Sequence, residues 1–137
     1  MRVKPKRKTY AIALAPDGAL TAEDRGQLEL DEEWTPEHLV LAGLALCSVK
    51  SLAHHARRAS LGLAASATAS GVVAPREGDR AWAFVEIECE IDAELDPSPS
   101  SAEVRELIRK AERGCFVASS LTAKPLYRWT VNGEEVG

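Results

Sequence analysis

The segment Trp82 to Ile91 alternates so regularly that it limits the architectures open to this chain. Val85, Ile87, Cys89 and Ile91 share one face of a strand, and Glu86, Glu88 and Glu90 share the other, because strand side chains alternate with a period of two. One face therefore packs on a core while the other meets water. Further strands are read at Thr9–Leu14, Ala19–Thr21, Gln27–Leu30, Ala64–Val73 and Leu126–Val131. Pro16-Asp17-Gly18 and Pro75-Arg76-Glu77-Gly78-Asp79 supply turn chemistry between them. The element order β-β-β-α-β-β-α-β indicates an α+β domain and not a βαβ nucleotide-binding fold.

Both helices carry start signals. Thr35, Pro36 and Glu37 serve as N-cap, first helical residue and first-turn acid of one. From Leu39 to Val49 this helix is apolar on nearly every side, which predicts burial all round, and Gly62 is the expected stop. Gly43 inside it predicts close approach of another backbone. Ser100-Ser101-Ala102-Glu103 has capping-box spacing, and Val104, Leu107, Ile108 and Ala111 form one face of the second helix. Gly114 interrupts that helix, Cys115 to Leu121 is read as a further short turn, and Asn132-Gly133 begins an exposed tail.

At 137 residues the chain is read as one domain, residues 1–137, with a basic arm at 1–8 and a tail at 132–137 as flexible ends. Aromatics are only 5% of the residues, so a core of Ala, Leu, Val and Ile is thin for this length, and burial through oligomerisation is expected. A net charge of −4 gives no general attraction to nucleic acid or anionic membrane, and neither is expected as a partner. The uncharged run Leu39–Val49 is too short to cross a bilayer, and the basic start leads into no signal-type apolar region. Three cysteines without C-x-x-C spacing argue against a secreted disulfide scaffold and against a zinc site. The expected setting is cytoplasmic, with no metal and no cofactor.

The chemical candidates are then few. Cys47 reads as a buried apolar residue, and as a nucleophile only with a cation nearby, since mid-helix it gains nothing from the helix dipole. Cys115 follows a glycine, with Lys110 and Arg113 close in sequence, which favours thiolate and leaves packing and catalytic roles open. Cys89 reads as core. His54 lies two turns beyond Cys47, about 10 Å along a helix, too far to take its proton, so His54 and His55 read as surface residues. Glu37 is a favourable first-turn charge, or a carboxylate that orients an arginine.

The segment Thr35-Pro36-Glu37-His38-Leu39 followed by Cys47 resembles the N-P-E-E-L…A-C segment of the OsmC/Ohr family of osmotically induced and organic hydroperoxide resistance proteins. Lys110-Ala111-Glu112-Arg113-Gly114-Cys115-Phe116-Val117-Ala118-Ser119 resembles its K-A-x-x-G-C-P-V-S segment, with Phe116 in place of proline. The resemblance spans about residues 9 to 131. It implies an OsmC-like fold: antiparallel sheets around two central cysteine-bearing helices, in an intertwined homodimer. It also implies an antioxidant stress-response function, a cysteine-based organic hydroperoxide reductase. Cys47 would be the peroxidatic cysteine, Cys115 the resolving one, and Glu37 the carboxylate that holds an activating arginine, with Arg25 in roughly that arginine's region. A dithiol, often lipoyl-type, would reduce the Cys47–Cys115 disulfide. The alternatives are an OsmC-like dimer acting on another electrophile, and a dimer without peroxidase activity that binds an apolar small molecule.

Overall fold

The structure is a computed structural model and describes residues 5–137, so the first half of the basic arm lies outside the described residues. The chain forms two compact units, Met1–Thr35 and Pro36–Gly137. The first holds β1 (Ile12–Leu14), β2 (Leu20–Ala22) and β3 (Gly26–Leu28) in an antiparallel meander of that order. The turn at Pro16-Asp17-Gly18 forms as read: Gly18 sits at φ 92°, and the Asp17 carboxylate accepts from the Ala19 amide at 3.0 Å. Ile12, Leu14 and Leu28 of this sheet are exposed.

The second unit contains α1 (Pro36–Arg58), β4 (Gly62–Pro75), β5 (Trp82–Asp96), α2 (Ser101–Arg113), α3 (Phe116–Ser120), β6 (Leu126–Val131) and β7 (Glu134–Val136). Its four strands lie in chain order in one sheet. β4 and β5 form a long antiparallel hairpin, whose turn is closed by the Arg76–Asp79 ion pair at 2.7 Å. β5 and β6 are parallel, so this sheet is mixed where antiparallel sheets were expected. The connection between them passes through α2 and α3, and such a crossover returns the chain in the same direction. Asn132-Gly133 does not begin a tail. Both residues adopt positive φ (51° and 81°), the requirement of a two-residue hairpin turn, and the chain returns as β7.

The alternation read at β5 places its layers. Ile87, Cys89, Ile91, Ala93 and Leu95 are buried, while Glu86, Glu88 and Glu90 are exposed. Val85 departs from the pattern. Val72 pairs with Glu86 and Val73 with Phe84, which leaves Val85 unpaired at a bulge and 37% exposed. Against the buried face lie the α1 stripe Leu44, Ser48, Leu52 and Ala56, the α2 face Val104, Leu107, Ile108 and Ala111, and Trp129 and Val131 of β6. This is an α+β domain, with helices on one side of the sheet.

Three features of α1 differ from the sequence reading. Val40 and Leu46 are exposed, so one chain does not bury this helix all round. Among the described residues a Cβ on Gly43 would meet only the Val117 side chain, at 4.0 Å, and no backbone of another element within that distance. The helix stops at Arg58, before Gly62: the Ser60 and Leu61 amides bond back to Arg57 and Ala56, and Ser60 takes the left-handed φ of 60° that glycine usually supplies. Among the described residues α1 is also the one helix long and apolar enough to cross a membrane. Its buried stripe and basic last turn make it the core helix of this unit.

α2 begins with the capping box as read: Ser100 accepts from the Glu103 amide at 3.2 Å, and the Glu103 carboxylate accepts from the Ser100 amide at 3.1 Å. Its other end is locked to α1. The Ser51 hydroxyl donates to the Ala111 carbonyl at 2.7 Å, and a Cβ on Gly114 would lie 2.9 Å from the Ser51 oxygen. Gly114→Val is therefore expected to destabilise the protein by about 1–3 kcal/mol through overpacking. Urea denaturation checks this, and an unchanged midpoint would contradict the α1–α2 packing.

Candidate active site

Gly114 ends α2, and Cys115, in extended backbone conformation, forms the N-cap of α3. Cys115 thus lies between two helices and not within one, while Cys47 sits inside α1. Cys47 is partly buried and Cys115 is fully buried. Both are free thiols, and their sulfurs are near enough for each to alter the other's ionisation. The first turn of a helix has backbone amides without partners inside the helix. In α3 these face the thiols: the amides of Val117 and Phe116 favour the Cys47 thiolate, and that of Ala118 favours the Cys115 thiolate. A proline at position 116 has no amide hydrogen to offer, so phenylalanine adds a donor at the Cys47 sulfur.

The two sulfurs fare differently. Burial pushes the Cys47 thiol above its ordinary value, and the neighbouring Cys115 adds to this against the α3 amides. For Cys115 burial is again the largest influence and also raises the pKa. The Ala118 amide, Cys47, Ser48 and Tyr127 together outweigh it and hold the thiol below its ordinary value. The Ser48 oxygen lies 3.7 Å from the Cys115 sulfur, 3.0 Å from the Tyr127 hydroxyl and 2.8 Å from the Leu44 carbonyl. Burial keeps Tyr127 protonated well above the usual tyrosine range.

Cys89, read as core, is fully buried and has its pKa raised by burial. Ser48 also favours its thiolate, so a third sulfur borders the cluster. Glu37 occupies the first turn of α1, exposed, about 15 Å along the helix from Cys47. Arg25 belongs to the first unit, where its guanidinium stacks 5.7 Å from the Tyr10 ring centre. His54 and His55 meet edge to face at 4.9 Å, and burial lowers the pKa of His55. Among the described residues, no group of three or more His, Cys, Asp or Glu side chains is placed to hold a metal ion.

Sequence reasoning missed Ser48 and Tyr127. The signal for Ser48 was present: it is the one hydroxyl within the apolar run Leu39–Val49, adjacent to Cys47. Buried polar groups of that kind need partners. Tyr127 carried no local signal, because only the pairing of Tyr127 with Cys89 across β5 and β6 places its ring under α1.

A family model of OsmC-like proteins matches residues 29–129, and the chain belongs to that family. Solved structures share its fold. An OsmC-like protein of unknown function from Vibrio cholerae aligns with a TM-score of 0.76 at 10% identity, covering 90% of this chain and 99% of that one. An organic hydroperoxide resistance protein from Elizabethkingia anophelis, solved with thiocyanate bound, gives 0.62 at 20% identity, covering 93% and 98%. The organic hydroperoxide resistance protein OhrB of Bacillus subtilis gives 0.54 at 16% identity, covering 90% and 96%. No curated protein sequence matches the chain.

Proposed function

We propose that this protein is a homodimeric thiol peroxidase that reduces organic hydroperoxides. The observation that carries the reading is the meeting of two free thiols, Cys47 and Cys115, at the amide-rich start of α3. In the first step the Cys47 thiolate attacks the peroxide O–O bond. An S–O bond forms, the O–O bond breaks, and the alkoxide leaves as an alcohol after taking a proton. Cys47 is thereby oxidised by two electrons to a sulfenic acid. Cys115 then attacks that sulfur: an S–S bond forms, the S–O bond breaks, and hydroxide leaves as water. An external dithiol returns both thiols by two exchanges and is itself oxidised to a disulfide.

Because burial raises the Cys47 pKa, the first step needs positive charge beyond the α3 amides. Arg25 held by Glu37, following the family resemblance, is the assignment we make. A second copy of the chain would cover the exposed Val40 and Leu46 of α1. The same burial favours the alternative reading, an OsmC-like dimer without peroxidase activity whose Cys47 thiol stays protonated. One measurement separates the readings, and a second tests the arginine. Catalytic consumption of cumene hydroperoxide with dihydrolipoamide as reductant supports the peroxidase, and no consumption supports the inert dimer. Arg25→Ala is expected to slow oxidation of Cys47 at least tenfold, as lost electrostatic stabilisation does elsewhere. An unchanged oxidation rate would discard the Arg25 assignment.

A further inference from the structure

The Ser48 hydroxyl has one hydrogen and three near neighbours: the Leu44 carbonyl at 2.8 Å, the Tyr127 hydroxyl at 3.0 Å and the Cys115 sulfur at 3.7 Å. The Leu44 carbonyl does not depend on that hydrogen, because it also accepts the α-helical bond from the Ser48 amide. The Tyr127 hydroxyl likewise has one hydrogen, and donates it to the Ser48 oxygen when the serine hydrogen points elsewhere. Leu44, Ser48 and Cys115 are buried between α1 and the sheet, and Tyr127 packs against them partly buried, so water has little room to compete at the serine oxygen.

From this count we propose that Ser48 and Tyr127 are positioning residues for the resolving cysteine: the serine hydroxyl points at Leu44 while Cys115 is a thiol and turns to its sulfur when Cys115 becomes a thiolate, with Tyr127 donating to the serine oxygen behind it. No heavy atom has to move, and each state leaves every partner bonded. In the thiol state the Cys115 hydrogen is donated to the Ser48 oxygen. In the thiolate state the direction of that one bond reverses. Neither hydroxyl gains or loses a proton over the resolving step. The proton of Cys115 ends on the leaving hydroxide as water, while the new S–S bond replaces the S–O bond of the Cys47 sulfenic acid. Among the described residues, the titratable groups that act on the Cys115 sulfur are Cys47 from α1, Cys89 from β5 and Tyr127 from β6.

The inference rests on the peroxidase reading for its purpose but not for its first test. In protein carrying Cys47→Ser, the absorbance of Cys115 thiolate at 240 nm is titrated against the same protein with Cys115→Ser added. Ser48→Ala and Tyr127→Phe each remove only an oxygen, and each is expected to raise the Cys115 midpoint by about one pH unit, the worth of a hydrogen bond to an ion. If one variant does not fold, the other decides. In protein with both cysteines, the same variants are expected to slow disulfide closure about tenfold near neutral pH, while trapping of the Cys47 sulfenic acid proceeds at the wild-type rate. An unmoved Cys115 midpoint in a folded variant overturns the inference. Wild-type protein that forms no sulfenic acid overturns the peroxidase reading instead, and leaves the titration to decide this one.

Discussion

Cys47→Ser is expected to abolish hydroperoxide consumption, by a factor on the order of 10³ or more, as removal of a reacting nucleophile does in other enzymes. A serine hydroxyl in the same place keeps the contacts of a small, partly buried side chain, and the α3 amides keep their geometry. It cannot ionise near neutral pH, so it offers no nucleophile to the O–O bond. Neither remaining thiol replaces it, because Cys89 and Cys115 are fully buried while Cys47 is the partly accessible member of the cluster. A spectrophotometric assay of peroxide loss, with circular dichroism to confirm folding, checks this. Turnover retained by folded Cys47→Ser would mean that another group attacks the peroxide.

Cys115→Ser is expected to separate the two steps. The first equivalent of hydroperoxide is still consumed, since Cys47 and the Phe116 and Val117 amides remain. Steady-state turnover with a dithiol falls at least tenfold, because no neighbouring thiol traps the sulfenic acid as a disulfide. With excess peroxide Cys47 then climbs the oxidation ladder to sulfinic acid, a step that thiols do not reverse. Intact-protein mass spectrometry after graded peroxide additions reads this directly as a gain of two oxygens. Full turnover in Cys115→Ser would remove Cys115 from the mechanism.

Much of the fold was legible because its signals are local. The glutamate alternation of β5, the capping box of α2 and the Thr35-Pro36 start of α1 each act within a few residues, and the structure places them as read. Most of what failed was set by partners distant in sequence, the stop of α1 being a local exception. The parallel β5–β6 pairing and the bulge at Val85 depend on neighbouring strands. Gly62 looked like a helix stop, yet Ser60 supplies the left-handed turn two residues earlier. The site follows the same division. Cys47 and Cys115 stand out as residues, but the amides of α3 and the reach of Tyr127 across the sheet to Ser48 exist only in the folded chain.

The central claim concerns the two sulfurs, and one measurement tests it most directly. Reduced protein is treated with one equivalent of cumene hydroperoxide, quenched by alkylation and digested, and the cysteine peptides are mapped by mass spectrometry. The account predicts a single new cross-link, Cys47 to Cys115, with Cys89 alkylated as a free thiol after unfolding. A cross-link that omits either residue, or three unmodified thiols beside consumed peroxide, would contradict it.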